Sequence, residues 1–400
     1  MEMRTRLQDA CESIEFEIEK ILYIYLLGND VASRCRYRGA IAHITDIAQI
    51  AHIVHIVHIV HVLTSLTSLT SRTGIIMRHV RSFVAALALL AGIAVLESAT
   101  PALAQPDAAT QRYVTHYRFV NVDGLPIFYR EAGPVNGPIV LLLHGFPTSS
   151  HMFRNLIPAL SDRYHVIAPD YPGFGLSAAP DHTRFAYTFA HYATLMDDLL
   201  AQLGAHRYAI YLFDYGAPVG FRLALKHPER VSALIVQNGN AYAEGLKEFW
   251  NPMKVYWKAD TPANRSALDF LVTLKTTQFQ YLHGVRDPSR VDPDNWNHDM
   301  LDLERPGNRD IQIDLFHDYG SNVPLYPKFQ AFFRAYQPPT LIIWGKNDYI
   351  FPPDGAYPYK RDLPNAEFHL IDSGHFLLED RSDEAFPLIR SFLDRKVAGT

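Results

Sequence analysis

The sequence predicts an α/β fold, a mostly parallel sheet with helices on both faces and a helical cap inserted between core strands. Three observations predict it. Short apolar runs that end in polar or glycine residues recur from Arg112 onward, amphipathic helical stretches lie between them, and one long aromatic-rich segment interrupts the alternation. Strands alternating with helices bury both faces of a parallel sheet, and the ligand site of such a sheet lies at the carboxyl ends of its strands. Function is therefore sought at the polar strand ends. The 400 residues, 48% hydrophobic and 12% aromatic, give ample material for a packed core.

The region before Arg112 has another character. Residues 1–76 are expected to be a non-native or disordered upstream extension, because "IVHIVHIVH" and "LTSLTSLTS" are adjacent three-residue repeats. Residues 77–104 have the layout of a secretory signal: Arg78 and Arg81, an apolar run from Phe83 to Val95, then Ala102 and Ala104 before Gln105. The run is shorter than the roughly 20 residues of a membrane span. Met77 is therefore expected to be the true start and the product to be exported, periplasmic or secreted, with no stable membrane span once the signal is removed. His52, His55, His58 and His61 drift around a helix, and no carboxylate or cysteine completes a ligand shell, so no metal is expected there.

From Arg112 the elements follow in order. "YVTHYRFVNV" and "LPIFYREAG" read as paired strands joined by Asp123 and Gly124. "PIVLLLHGF" is a continuous apolar run, as a strand buried on both faces requires, and "YHVIAPD", "YAIYLFD" and "SALIVQNG" repeat it. Between them, "FAHYATLMDDLLAQLG" puts Phe189, Tyr192, Leu195, Met196, Leu199, Leu200 and Leu203 on one helical face, and Gly204 supplies a stop. These elements form the first part of the core, residues 112–240. Residues 241–337 are rich in aromatics, proline and asparagine and too apolar for a linker, so they are read as the cap. "TLIIWGKND" and "EFHLIDSGH" resume the strands in the second part of the core, residues 338–396.

Composition excludes several classes. The formal charge of -5, without a basic run beside repeated aromatics, gives no nucleic-acid footprint. Cys11 and Cys35 lie far upstream, which removes a disulfide framework, a thiolate metal site and a cysteine nucleophile from the core. A small-molecule substrate is expected, with no metal and no cofactor.

Four strand ends carry polar residues of interest: His144-Gly145-Phe146-Pro147, Asp214 in "LFDYG", Asp348 in "WGKND" and His375 in "DSGHF". Singly, each has an ordinary structural use as a turn or helix cap. Nucleophile, acid and histidine in this chain order behind an "HG" loop resemble the α/β-hydrolase fold, over about Arg112 to Lys396. An aspartate at the strand-to-helix turn is similar to the branch containing epoxide hydrolases and haloalkane dehalogenases. The family usually has a small residue two positions before the nucleophile, where this chain has Leu212. Asp170, in a Pro-Gly-rich surround, is read as a loop stabiliser.

A carboxylate is ionised at neutral pH and needs no base to activate it. Its attack on an ester carbonyl yields an anhydride and gains little, whereas attack on saturated carbon yields an ordinary ester that water can hydrolyse. The resemblance then implies Asp214 as nucleophile, His375 as base for the water and Asp348 as the carboxylate that orients His375. The backbone N–H groups of Phe146 and Tyr215 are expected to hold the oxyanion. A departing halide needs paired N–H donors, yet Phe146 and Tyr215 stand where dehalogenases usually supply them, so only Trp250, Trp257 or Trp296 in the cap would remain. An opening epoxide forms an alkoxide, which phenols of pKa about 10 can protonate. Tyr326 falls where the second ring-opening tyrosine of epoxide hydrolases lies, with Tyr281 or Tyr256 as the first. His144, Trp250 and Trp257 are expected to line the substrate pocket. The favoured reading is an epoxide hydrolase for a small, largely apolar epoxide. A haloalkane dehalogenase and a non-catalytic binder on the same fold are the alternatives.

Overall fold

The structure, a computed structural model, describes residues 114–397. The expectations for residues 1–76 and 77–104 lie outside the described residues.

An eight-stranded sheet has the order β1-β2-β4-β3-β5-β6-β7-β8. Strands β1 (His116–Val122) and β2 (Leu125–Ala132) form an antiparallel hairpin. Its turn residues Asp123 and Gly124 both take positive φ, the geometry that matches the twist of flanking strands and that Asp-Gly readily supplies. Strand β2 runs antiparallel to β4 (His165–Pro169). The remaining strands, β3 (Ile139–Leu143), β5 (Tyr208–Phe213), β6 (Val231–Gln237), β7 (Thr340–Gly345) and β8 (Glu367–Ile371), pair in parallel. The chain therefore has the α/β-hydrolase architecture that its pattern predicts.

The apolar runs are two interleaved stripes. Leu141, Leu143, Ile210 and Leu212 join the core on one face of the sheet, whereas Val140, Leu142, Ala209, Tyr211 and Phe213 join the core on the other. Helix α1 (Leu156–Leu160) follows β3, and α2 (Phe189–Gln202) buries Phe189, Tyr192, Leu195, Met196, Leu199 and Leu200, as its periodicity requires. Thr188 caps its start by accepting from the His191 N–H at 3.1 Å. Helix α3 (Gly216–Lys226) packs behind β5. Gly220 of this helix explains how the bulky Leu212 is tolerated, because a Cβ there would lie 2.2 Å from Leu212 Cδ2.

Only helices and helical turns separate β6 from β7. They are α4 (Asn251–Lys258), α5 (Pro262–Ser266), α6 (Leu274–Leu282), α7 (Asp294–Leu303), α8 (Asn308–Asp318) and α9 (Tyr326–Tyr336). Phe329 and Phe333 of α9 pack on Phe221 of α3, each with ring centroids 5.2 Å apart. The last helix of the insertion thus lies in the layer that covers the sheet. Short helices α10 (Tyr359–Asp362) and α11 (Leu377–Asp380) and the long α12 (Ser382–Lys396) complete the fold.

Candidate active site

The turn after β5 is built so that one side chain must project from it. Asp214 takes φ 48°, a left-handed conformation that a residue with a Cβ adopts only when its surroundings impose it. Two glycines let the neighbouring chain close in around it. A Cβ on Gly216 would come within 2.2 Å of the Leu143 carbonyl oxygen, and a Cβ on Gly145 within 2.3 Å of Asp214 Cβ. The "HG" loop and the turn are therefore pressed together backbone to backbone.

That contact places donors on the carboxylate. The Phe146 N–H donates to Asp214 Oδ1 at 2.7 Å, and the Tyr215 N–H also bonds the group. Burial pushes the Asp214 carboxyl up to about 6, against the pull of His375 and of these two N–H groups. Oδ2 faces His375 Nε2 at 3.8 Å. That nitrogen is buried and has no hydrogen-bond partner among the described residues.

His375 follows β8 and donates from Nδ1 to Asp348 Oδ2 at 2.8 Å. Burial alone would lower the imidazole's affinity for a proton, but the Asp348 carboxylate more than offsets this and the net shift is upward. Asp348, after β7, is itself held on both oxygens: Ile350 N–H donates to Oδ1 at 2.7 Å and Asn238 Nδ2 to Oδ2 at 2.6 Å. Asn238 is not among the residues that the sequence pattern singles out. It ends β6 with φ 45° and also accepts from the Gly345 N–H at 3.1 Å, so its amide ties β6 to the turn carrying Asp348. Its only signal in the sequence is the polar end of "SALIVQNG". Gln237, likewise not singled out, donates to the His375 carbonyl at 3.2 Å and accepts from the Tyr211 hydroxyl.

Several expected site residues prove to be committed elsewhere. His144, expected to line the pocket, spends both ring nitrogens on backbone, with Nδ1 3.0 Å from the Gly145 carbonyl and Nε2 accepting from Tyr171 N–H at 3.2 Å. Its burial favours the neutral ring. Asp170 likewise accepts from Ser150 N–H at 2.7 Å and Leu176 N–H at 2.9 Å and organises the loop. Trp250 and Trp257 lie in the aromatic shell, but Trp250 donates its N–H to the Ile350 carbonyl at 2.8 Å and Trp257 to that of Phe316 at 2.7 Å. Tyr256 accepts from Arg265 at 3.1 Å, and Tyr281 donates to Asp299 Oδ2 at 2.6 Å.

Tyr326 is buried, accepts from Asn240 Nδ2 at 3.1 Å and is pushed up to about 12 by burial, with Tyr319 and Asn240 acting the other way. Tyr319, which the sequence pattern does not single out, is the phenol of the two that feels the Asp214 charge. It is fully buried and lies 4.3 Å from the Trp250 ring and 6.0 Å from that of Tyr215. Burial raises it well above the usual tyrosine range, and the Asp214 charge adds to the effect. Its hydroxyl comes near that of Tyr326 without meeting it in well-aligned geometry. Nothing in "FHDYGSNVPLY" distinguishes Tyr319 from a packing residue, since only the fold brings it under Trp250.

The chain belongs to the α/β-hydrolase fold family, whose model matches residues 138–382. It is 46% identical over 261 residues to "Uncharacterized hydrolase YNR064C" of Saccharomyces cerevisiae, covering 64% of this chain and 89% of that protein. It is 30% identical over 294 residues to a cis-3-alkyl-4-alkyloxetan-2-one decarboxylase of Xanthomonas campestris, covering 68% of this chain and 93% of the other. It is 28% identical over 277 residues to haloalkane dehalogenase 2 of Mycobacterium tuberculosis, covering 64% and 87%. Among solved structures, haloalkane dehalogenase DbeA of Bradyrhizobium elkani is similar with TM-score 0.58 and 23% identity, covering 72% of this chain and all of that one. Epoxide hydrolase CorEH is similar with TM-score 0.57 and 20% identity, covering 70% and 99%. At these identities the structural likeness speaks for the fold. The protein is an α/β-fold hydrolase, related in sequence to haloalkane dehalogenases and similar in fold to an epoxide hydrolase.

Proposed function

We propose that the protein hydrolyses a small, largely apolar epoxide through a covalent alkyl ester on Asp214, which water activated by His375 then cleaves. The observation that carries this reading is the division of labour around one carboxylate. Oδ1 accepts the Phe146 N–H at 2.7 Å, while Oδ2 faces His375 Nε2 at 3.8 Å, a nitrogen without a hydrogen-bond partner among the described residues.

In the first step Oδ2 bonds to an epoxide carbon, the ring C–O bond breaks, and the alkoxide takes a proton from the Tyr319 and Tyr326 hydroxyls. In the second, His375 Nε2 takes a proton from water as the water oxygen bonds to Cγ of Asp214. The charge that develops on Oδ1 meets the N–H groups of Phe146 and Tyr215. Collapse expels the diol with Oδ2 as one of its oxygens, protonated by His375, and the new carboxylic acid returns its proton to the phenolate through solvent. Asp348 supports the imidazolium between these events.

Epoxide is favoured over halide by where the donors are spent. Trp250 and Trp257 give their N–H groups to backbone carbonyls, Trp296 packs at the Tyr281 ring with a different core cluster from that of Trp250 and Tyr215, and the side chains of Phe146 and Tyr215 carry no N–H. The phenols of Tyr319 and Tyr326 remain beside each other near the aromatic shell of Asp214. One relative is named for an alkyl-substituted oxetan-2-one, which is also a strained oxygen ring. With Tyr281 bonded to Asp299, the pair of acids assigned to ring opening is Tyr319 and Tyr326.

The test is to replace His375 by Gln, incubate with styrene oxide or with 1-bromobutane, and weigh the intact protein. Accumulation of protein heavier by the whole epoxide supports the proposal. Addition of the haloalkane less hydrogen bromide alone moves the assignment to dehalogenation, and no covalent addition refutes both.

A further inference from the structure

Arg222 is a charged side chain that the proposed mechanism does not use. It is half-buried on α3, the helix that starts two residues after Asp214. Among the described residues its guanidinium forms no ion pair and donates to neutral oxygens instead. Nη1 bonds the Pro218 carbonyl at 3.0 Å and Asn322 Oδ1 at 2.6 Å, and Nη2 bonds the Ser321 hydroxyl at 3.4 Å. Drawing a guanidinium out of water without a paired carboxylate is unfavourable, so the position calls for a neighbour that gains from the charge.

Two of its partners lead to the phenols. Ser321 and Asn322 belong to the 3₁₀ turn Tyr319–Leu325, which runs from one phenol to the other, Tyr326. Seven residues are a long run for a helix with poorly aligned hydrogen bonds, and Pro324 inside it removes one N–H. The turn therefore depends on outside ties. Asn322 is fully buried and its Nδ2 has no partner among the described residues, so the bond from Arg222 is what holds this side chain. The charge reaches the phenols as well. Burial pulls the guanidinium down to about 10, against Asp318, Tyr319 and Tyr326, so it stays protonated at neutral pH. In Tyr326 burial acts upward, and Tyr319, Asn240 and Arg222 act downward. The cation thus favours the charged form that Tyr326 takes once it has given up its proton.

We infer that Arg222 is a positioning residue for ring opening, which fixes the turn between Tyr319 and Tyr326 and whose positive charge stabilises the phenolate formed there. The phenol O–H bond breaks as its proton passes to the alkoxide of the opened ring, and Arg222 keeps its own protons throughout. The catalytic half of this inference rests on the proposed function, whereas the tie between Arg222 and the turn stands without it.

The test compares Arg222→Met, which loses both donors and charge, with Arg222→Lys, which keeps a charge and a donor, each combined with His375→Gln so that the ester accumulates. Ester formation is timed by intact mass with styrene oxide and with 3,3,3-trifluoro-1,2-epoxypropane, whose alkoxide is the weaker base and needs its proton less. Arg222→Met is expected to slow formation about tenfold with styrene oxide and only about threefold with the fluorinated epoxide, and Arg222→Lys to recover most of the loss. Unaltered formation, equal loss with both epoxides, or a Lys variant as slow as the Met variant overturns the catalytic half. In parallel, protein labelled with 13C at the tyrosine carbon bearing the hydroxyl is followed by nuclear magnetic resonance at pH 8, with Tyr319→Phe and Tyr326→Phe assigning the two signals. Both signals are expected to move in Arg222→Met and to return toward their wild-type positions in Arg222→Lys. Signals that stay fixed in the Met variant overturn the tie to the turn. Should His375→Gln with Arg222 intact gain no mass from either epoxide, the function proposed above falls, and the two tyrosine signals alone decide this inference.

Discussion

The strand ends and the cap both hold reactive groups away from water, and they do so in opposite ways. At the strand ends the groups are tied to backbone: Phe146 N–H to Asp214 and Ile350 N–H to Asp348, with glycines pressed so close that a Cβ would collide. In the cap they are tied through side chains, Tyr319 by packing at a tilt against Trp250 and Tyr326 through the amide of Asn240. Backbone ties leave one geometry, so a change to the carboxylate that a strand end holds in this way should act as an on-off switch. Side-chain ties relax, so a change in the cap should act by degrees.

The largest effect is expected at Asp214. Asp214→Asn should reduce turnover by at least about 10³-fold, since no other group supplies the bond to carbon. The same variant should be more stable. The folded pKa of Asp214, about 6, lies above that of an exposed carboxyl, so the native state holds this proton more tightly than the unfolded chain does. Stability therefore declines as pH rises from about 4 to about 6, and the full cost of the buried charge is present above that, on the order of 3 kcal/mol at most. Denaturant melts at pH 8 should show the Asn variant gaining part of it. An Asn variant equal to or weaker than wild type would mean that the strand end is less strained electrostatically than its burial implies.

The cap comes next. Tyr319→Phe and Tyr326→Phe should each slow epoxide turnover by about 10- to 100-fold. Tyr319, the one that feels the Asp214 charge, should be the more sensitive, and the double variant should lose less than the product of the two because the hydroxyls act together. Fully additive losses would break the claim that they form one unit. Below pH 6 the rate should then drop about tenfold per pH unit as the nucleophile is protonated, in a pH-rate profile of kcat/KM. A rate constant across pH 4 to 6 would contradict the assignment of that carboxylate. Smallest is Asn238→Ala, which leaves Asp348 with Ile350 N–H and His375, and should cost about tenfold in kcat with KM nearly unchanged.

This contrast also explains what was legible in the sequence. The parallel sheet was, because β3, β5 and β7 carry continuous apolar runs whose alternate residues feed two cores. So were Asp214, Asp348 and His375, since each ends a strand or follows one and their chain order has few other uses. His144 and the cap tyrosines were not. A histidine beside a glycine turn reads the same whether it faces substrate or, as here, bonds Gly145 and Tyr171 backbone. Tyr281 and Tyr319 both sit on helices of mixed pattern, and only tertiary contacts give one to Asp299 and bring the other beneath Trp250. Leu212 read as a departure from the family because its compensation, Gly220, lies eight residues later on the facing helix.

The measurement that tests the central claim most directly is a single turnover of excess enzyme with an epoxide in heavy-oxygen water, followed by peptide mass analysis. Attack of water on Cγ of Asp214 predicts one heavy oxygen in the peptide carrying residue 214 and an unlabelled diol. Label in the diol with none in that peptide would mean that water attacks the epoxide directly, and that no ester forms.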